Sequence, residues 1–260
     1  MTDAEKDVIP VKELQKLLSR ARFAADKYNM IEEGDRIAVG ISGGKDSLAL
    51  LCTLAEMRAF YPKKYEVEAL SVDMGFDASD AAGHAAINYD GIRELCRRLG
   101  IPFTVKRTEI ARIIFDVRRE KNPCSLCARM RRGVLHDATL ALGCNKLALG
   151  HHFDDAAVTA MLNLFYVGRF DCFSPVTNLS RKGLVMIRPF VYAEEAEIKS
   201  FVRRAALPVI QSPCPADGNT ERAFMKQFLG DFDHRYRGLY ARIVGALERG
   251  EIDGWRENDR

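Results

Sequence analysis

The feature that most constrains this chain is a glycine-rich hexapeptide that lies between two apolar runs. Its residues are Ser42, Gly43, Gly44, Lys45, Asp46 and Ser47. The run at 37–41 has the length and composition of a buried strand, and the run at 48–51 begins a helix. Backbone N–H groups of such a turn can surround an anion, and the helix N-terminus adds a positive dipole end. We therefore predict a strand, a phosphate-binding turn and a helix, in that order.

Two familiar phosphate-binding patterns do not fit the hexapeptide. A Walker A sequence places Ser or Thr after its lysine, where this chain has Asp46, and the G-x-G-x-x-G spacing of dinucleotide-binding loops is absent. The hexapeptide instead resembles the pyrophosphate loop, or PP-loop, of the N-type ATP pyrophosphatases, which split ATP between its α and β phosphates. This resemblance assigns ATP binding to residues 42–47. The alternative is a glycine-rich turn without a ligand.

Short apolar segments alternate with helical ones after this point. Candidate strands lie at 36–41, 67–72, 103–106 and 146–149, and helices are predicted after the hexapeptide and at 87–99. The alternation predicts an α/β fold with a Rossmann-like parallel sheet and flanking helices.

The two ends of the chain have a helical pattern. Residues 11–30 carry an amphipathic stripe, and 194–206 and 235–247 are predicted as charged helices. We therefore expect an N-terminal helical extension at 1–32, a PP-loop ATP-binding α/β domain at 33–190 and a C-terminal helical extension at 191–260.

Polar residues follow two further strands at the edge where such sheets bind ligands. Asp73 follows the second strand, and Gly150 follows the fourth, where a residue without a side chain lets a backbone or an adenine approach closely. We assign both residues to the ATP site.

The residues after Gly150 carry further side chains that suit a nucleotide site. His151 and the adjacent His152 are given positioning roles, and His151 and Asp155 are assigned to the ATP site. Asp154 and Asp155 can hold Mg²⁺, orient a ribose or deprotonate a nucleophile. Without the PP-loop, they would equally be ordinary acids at a helix N-terminus.

Cysteines supply the second strong signal. The chain has seven, and no secretory signal precedes them, so metal or sulfur chemistry is a better expectation than a disulfide framework. Cys124 and Cys127 form a C-x-x-C pair after Pro123, and Cys214 lies between two prolines. Three cysteines in proline-shaped loops predict one site with three protein ligands. An iron–sulfur cluster held this way leaves one iron open to sulfide.

Other readings of these cysteines stay open. A zinc ion could be closed by Asp217, and a redox C-x-x-C is possible, although the pair does not begin a thioredoxin-like first helix. Cys52 and Cys96 fall on apolar helix faces and are predicted to be buried core residues and not ligands.

Four motifs together resemble the tRNA 2-thiocytidine synthetase (TtcA) family. They lie at 42–47, 124–133, 150–155 and 163–166, and the resemblance covers about residues 30 to 215. It implies a HUP-type fold, a [4Fe-4S] cluster on Cys124, Cys127 and Cys214, a homodimer, and conversion of an anticodon-loop cytidine to 2-thiocytidine. One departure is clear, because Asp217 stands where familiar members have the last cysteine of a second C-x-x-C.

The implied reaction adenylates the C2 oxygen of the cytidine with ATP and then replaces it with sulfur. Mg²⁺ and the loop would stabilise the leaving pyrophosphate. The residues assigned to catalysis are Lys45, Asp46, Arg131, Asp154 and Asp155. Basic residues around the C-x-x-C pair are assigned to the RNA backbone, with a solvated helix face as the alternative. They are Arg118, Arg119, Lys121, Arg129 and Arg132.

Partners and location follow from the same reading. We expect tRNA as substrate and sulfide, or a persulfide-donating cysteine desulfurase, as the sulfur source. No apolar run is long enough to span a bilayer, so we expect a cytoplasmic protein that does not bind membranes. Alternatives are thiolation of a tRNA uridine or another acceptor, sulfur removal, and a metal- and nucleotide-binding RNA sensor.

Overall fold

The computed structural model describes residues 11–76, 87–118, 123–211, 214 and 220–257. Its helices are α1 (Val11–Lys27), α2 (Lys45–Met57), α3 (Asp90–Leu99), α4 (Ile110–Arg112), α5 (Pro123–Ala141), α6 (Phe153–Leu162), α7 (Glu195–Arg204), α8 (Glu221–Arg235) and α9 (Leu239–Arg249). Its strands are β1 (Asp35–Ile41), β2 (Tyr65–Asp73), β3 (Phe103–Arg107), β4 (Lys146–Ala148), β5 (Val176–Leu179) and β6 (Leu184–Ile187). Among these helices, none is both long and apolar enough to cross a membrane.

The strands form one sheet in the order β3-β2-β1-β4-β6-β5. All neighbouring strands are parallel except β5 and β6, which are antiparallel. β1 lies between β2 and β4, with Val39 paired to Ala69 on one side and to Ala148 on the other. The chain order reverses at this point, so a crevice opens beyond the carboxyl ends of β1 and β4. The prediction of an α/β fold with a mostly parallel sheet is confirmed.

The core joins the helices at both ends of the chain to the sheet. Leu14 and Leu17 of α1 are fully buried in the same apolar cluster as β1, α2, α7 and α9. Burial of each leucine stabilises the fold by about 1.5–3 kcal/mol. Trp255, near the end of the described chain, is also fully buried, and its indole N–H donates to the carbonyl of Phe173 at 3.0 Å. The boundaries proposed at 32/33 and 190/191 stay predictions.

Four local features differ from the sequence-based expectations. The hairpin β5–β6 and helix α8 were not predicted, and the helix expected at 235–247 is interrupted. Arg235 ends α8, and α9 begins after Gly238. Gly238 has a φ of 85°, a left-handed conformation that favours glycine and that interrupts the helix. Cys124 and Cys127 lie in the first turns of α5 and not in a loop, since Pro123 begins the helix.

Candidate active site

The hexapeptide turn joins β1 to α2 and is held by its own serines. The backbone N–H of Ser42 donates to Ser47 Oγ at 3.2 Å, and the N–H of Gly44 donates to Ser42 Oγ at 3.3 Å. The Ser47 hydroxyl donates to the carbonyl of Gly44 at 2.9 Å. Gly43 has a φ of 84°, which strains any residue with a side chain. The turn is therefore preorganised at a helix N-terminus, which suits an anion.

Gly150 lies directly against this turn because β4 is the neighbour of β1. A Cβ atom at Gly150 would lie 3.0 Å from the carbonyl carbon of Asp46 and 3.2 Å from the backbone nitrogen of Ser47. Such a contact is too close for a methyl group against backbone. The glycine thus lets the two strand ends meet, as a shared nucleotide site requires.

His152 connects the acids of the two motifs. Its ring is buried, with Nε2 3.8 Å from Asp46 Oδ1 and 3.4 Å from Asp155 Oδ2, and with Nδ1 3.5 Å from Asp154 Oδ2. Its backbone N–H donates to Asp155 Oδ2 at 3.1 Å. Among the described residues, Asp46 Oδ1 is buried without a hydrogen-bond partner. An unpartnered carboxylate oxygen beside a phosphate loop fits a bound cation.

Asp155 and His151 are both shifted in their protonation. Burial alone would raise the pKa of Asp155, but His152 and Arg222, whose guanidinium donates to Oδ1 at 2.6 Å, hold that pKa below its ordinary value. Burial, helped by Arg188, lowers the pKa of His151 to about 4. At neutral pH this places an ionised Asp155 beside a neutral His151.

A cluster of lysines surrounds Glu195, the first residue of α7. Lys45 and Lys199 lie 3.1 Å and 3.0 Å from its oxygens, and Lys226 donates to Oε1 at 2.5 Å. Burial raises the pKa of Glu195, but these bonds outweigh burial and lower it to about 2. The backbone N–H of Glu195 also donates to Asp154 Oδ2 at 2.8 Å. Three ammonium groups around one carboxylate leave positive charge for an anionic ligand.

A cavity of about 210 Å³ opens between α6 and α8 at this edge of the sheet. Its walls include His152, Asp154, Asp155, Arg222 and Lys226. A second cavity of about 320 Å³ lies at the opposite edge, where its charged groups already pair with each other, as Arg36 does with Glu66 and Glu68. We therefore place the candidate site in the first cavity.

Asp73 ends β2 beside β1, at the same edge of the sheet as the phosphate loop. One carboxylate oxygen accepts from the N–H of Gly75 at 3.0 Å, and its backbone carbonyl accepts from the N–H and hydroxyl of Thr108. These bonds fix the strand end. The assignment of Asp73 to the ATP site stays a prediction.

Two of the three cysteines share one apolar cluster. Cys127 and Cys214 both pack against a core formed by Met74, Phe76 and Ile114. Cys124 is exposed, one turn before Cys127 on α5. Burial raises the pKa of the Cys127 thiol, Arg131 lowers it, and Cys214 and Cys124 raise it further, so the three sulfurs and Arg131 act on one another.

Within the described residues, no three His, Cys, Asp or Glu side chains are arranged so that they could hold a single metal ion. The three cysteines of an iron–sulfur cluster bind different irons, and Mg²⁺ on ATP uses one or two carboxylates together with phosphates. Asp217 lies outside the described residues. The chemistry of the donors fits a cluster, since two thiols lie against one apolar surface and the third is one turn away on α5.

The segment that precedes Cys214 is hydrogen-bonded to the phosphate loop. The backbone N–H of Ile210 donates to the carbonyl of Gly43 at 2.9 Å. Cys214 follows Ile210 by four positions, and an extended chain of that length spans at most about 14 Å. Cys214 and the phosphate loop are therefore close enough for one bound substrate to reach both.

The basic residues assigned to RNA lie on and before α5. Arg129 and Arg132 are exposed on the outer face of α5, opposite the inward-facing Met130 and Val134. Arg118 is exposed before the helix, and Arg119 and Lys121 lie outside the described residues. These positions suit contact with a phosphate backbone, which stays a prediction.

Sequence reasoning missed several residues of this site. Glu195, Lys199, Arg222 and Lys226 come from α7 and α8, far from the motifs in sequence. The i,i+4 spacing of Glu195 and Lys199 indicates an ion pair on one helix face, but the sequence does not show that Glu195 also contacts Lys45.

Comparisons with known proteins agree with this geometry. Residues 12–231 match the PP-loop domain family. The tRNA-cytidine(32) 2-sulfurtransferase of Syntrophotalea carbinolica is 39% identical over 86% of this chain and 85% of its own length. The protein of the same description from Geotalea uraniireducens is 40% identical over 89% of this chain and 90% of its own length.

The fold is also found in a solved structure. The U34-tRNA thiolase NcsA from Methanococcus maripaludis, solved with its [4Fe-4S] cluster, aligns with a TM-score of 0.70. It covers 89% of this chain and 77% of that chain at 24% identity. The resemblance inferred from the motifs is confirmed: the chain belongs to the PP-loop domain family and, within it, to the family of the tRNA-cytidine(32) 2-sulfurtransferases.

Proposed function

We propose that this protein is an ATP-dependent tRNA sulfurtransferase that converts cytidine 32, the position in its relatives' description, to 2-thiocytidine. One observation carries the proposal. The N–H of Ile210 is bonded to the Gly43 carbonyl of the phosphate loop, and Cys214 lies within about 14 Å of Ile210. A reaction that needs both activation by ATP and delivery of sulfur requires these two sites side by side.

The first step activates a poor leaving group. The C2 oxygen of cytidine attacks the α-phosphorus of ATP, the bond to the β-phosphate breaks, and pyrophosphate leaves with the electron pair. The loop N–H groups and Lys45 would stabilise this charge, and Lys199 and Lys226 lie close enough to share it. Asp46 Oδ1 and Asp155 would hold Mg²⁺ on the phosphates.

The second step exchanges oxygen for sulfur. Hydrosulfide attacks C2, the C2–O bond breaks, and AMP leaves with the electron pair and the original oxygen, while the S–H proton is released to water as the C2–S double bond forms. No electrons are gained or lost in the exchange. His151 is neutral and Asp155 is ionised, so neither residue would attract the negatively charged AMP, and AMP could leave the site after the step.

The cysteines would hold the sulfur-delivering group. Cys127 and Cys214 lie against one apolar surface, and Cys124 is exposed one turn before Cys127, so the three would supply thiolates to a [4Fe-4S] cluster with one iron free of protein ligands. Such an iron, when the cluster is bound, supplies a place to bind sulfide. Arg131, one turn after Cys127, would lie beside the incoming base or phosphate.

The proposal includes the partners and location of the reaction. tRNA is the substrate, and free sulfide or a persulfide-donating cysteine desulfurase supplies sulfur. We also propose a homodimer and, since tRNA is modified there, a cytoplasmic location.

Mass spectrometry of tRNA nucleosides tests the proposal. The protein, purified without oxygen, is incubated with tRNA, ATP, Mg²⁺ and sulfide, and AMP and pyrophosphate are measured in parallel. We expect 2-thiocytidine and one AMP per thiolation, and no product from a tRNA with uridine at position 32. 2-Thiouridine as the product, or AMP release without any thionucleoside, would overturn the proposal.

A further inference from the structure

An aromatic stripe runs along the outer face of α8. It consists of Phe224, Phe228, Phe232 and Tyr236, spaced four residues apart. Phe224, Phe232 and Tyr236 are 60%, 43% and 48% exposed. Successive ring centroids are 6.5, 5.1 and 5.7 Å apart, so the rings form a continuous row. Such a patch of large apolar side chains marks an interaction site when it meets solvent.

The fold uses only part of this row. Phe228 is half-buried against the core, and the neighbouring face of α8 anchors the helix through Met225 and Leu229, both 1% exposed. The stripe also continues onto the turn after α6, where Phe165 is exposed and its ring lies 6.3 Å from Phe228. The apolar surface therefore extends across two elements.

The stripe begins at the end of α8 that carries two residues of the candidate active site. Arg222 donates to Asp155 at 2.6 Å and to Thr159 at 3.2 Å. Lys226 reaches Glu195 beside the phosphate loop. Phe224 lies between these two residues in sequence, on another face of the helix, so the stripe begins within one turn of the cavity that they line.

The other end of the stripe carries positive charge. The guanidinium carbon of Arg235 lies 5.6 Å from the centre of the Tyr236 ring, and Arg237 follows. Both arginines are exposed, and within the described residues neither forms an ion pair. Flat rings beside uncompensated cations suit a ligand with flat bases and a negative backbone.

We propose that the aromatic stripe of α8 is a stacking platform for unpaired bases of the RNA loop that delivers the target nucleoside. The inference rests on the proposed function, since it assigns a contact to the same substrate. Loop bases that are unstacked from the RNA can lie on aromatic faces whatever their sequence. Stacking at the stripe would hold the loop open beside the cavity while one base enters.

A pair of alanine substitutions tests this contact. Affinity is measured for a labelled anticodon stem-loop and for a duplex without unpaired bases, using wild type and the double variant Phe224→Ala/Tyr236→Ala. We expect stem-loop binding to weaken tenfold or more, because each base–aromatic stack is worth about that factor. Duplex binding and the salt dependence of stem-loop binding should not change.

Two controls separate stacking from loss of structure. Phe60→Ala removes an equally exposed ring, 47% exposed, at the opposite edge of the sheet and should not alter binding. Phe224→Tyr/Tyr236→Phe keeps the faces of both rings and should bind as wild type. Unchanged stem-loop affinity in the alanine variant would overturn the inference.

Two further measurements distinguish other outcomes. If sedimentation shows a wild-type dimer that the alanine variant turns into monomers, the stripe joins two copies of the chain and the inference is wrong. If wild type binds the stem-loop through the stripe but makes no thionucleoside, the proposed function fails while the stacking platform stands.

Discussion

Lys45 Nζ of the phosphate loop lies 3.1 Å from Glu195 Oε1 at the start of α7. Lys199 and Lys226 reach the same carboxylate, so Glu195 holds three ammonium groups at one point. A phosphate that enters the loop competes with Glu195 for these groups. The carboxylate therefore both assembles the site and limits how tightly it binds pyrophosphate.

Substitution of Glu195 by Gln should tighten the binding of inorganic pyrophosphate by about tenfold and slow turnover through product release. The reason is that one buried negative charge about 3 Å from each lysine is removed. The inhibition constant of pyrophosphate in AMP-release assays measures the effect. Glu66→Gln, an exposed carboxylate at the far edge, should behave as wild type. Weaker pyrophosphate inhibition in Glu195→Gln would mean that Glu195 chiefly positions the lysines.

Gly150→Ala should reduce kcat/KM for ATP by about 100-fold without unfolding the protein. The added methyl group meets the Asp46 carbonyl carbon at 3.0 Å, so the loop must shift by a fraction of an ångström. Gly230→Ala is the matched control, because its Cβ meets nothing within 4 Å and alanine stabilises a helix by about 0.5–1 kcal/mol. ATP kinetics and circular dichroism of both variants decide the matter. Wild-type kinetics in Gly150→Ala would contradict the shared site.

Alanine at Cys124, Cys127 or Cys214 should remove iron and acid-labile sulfide together. Each thiolate holds part of the same cluster, so the loss of one weakens the whole group. Metal and sulfide analysis after oxygen-free purification measures this. Cys144→Ala, at the opposite edge of the sheet, should keep both. About one zinc and no iron in wild type would exclude the cluster and leave an adenylating enzyme with a structural metal.

The buried His151 should make stability depend on pH. Burial lowers its pKa to about 4, whereas in the unfolded chain it is about 6.5. The unfolded state therefore binds the proton first, and stability falls as pH drops from about 6.5 to about 4. His151→Phe should lessen this fall by on the order of 1–3 kcal/mol, as urea unfolding at about pH 7 and about pH 4.5 would show. An equally steep fall in the variant would assign the effect to other groups. His234→Gln, which changes an exposed histidine, serves as the control.

The sequence predicted the elements whose residues are adjacent in the chain, which are the first four strands and the phosphate loop. β1 to β4 were visible because each is a short apolar run bounded by polar residues, and the phosphate loop was visible because its glycines and serines are adjacent. Cys52 and Cys96 are buried, as their apolar helix faces predicted.

The remainder depends on contacts between distant segments. β5 becomes a strand only through pairing with β6, since Val176–Leu179 has no strong alternation of its own. The lysine cluster needs α2, α7 and α8 to converge on Glu195, and no spacing in the sequence encodes that meeting. The sequence predicts a turn at Pro123, but proline is also common in the first turn of a helix, where the structure places it.

The hydrogen bond from Ile210 to Gly43 has a consequence for recombination between relatives. A crossover between these positions would combine a phosphate loop from one parent with the segment around Ile210 from another. A change in length between Ile210 and Cys214 would displace the Cys214 thiol relative to the nucleotide. Chimaeric enzymes should therefore inherit both segments from the same parent. Exchange of the C-terminal helices alone remains compatible with this requirement when the junction lies beyond residue 220.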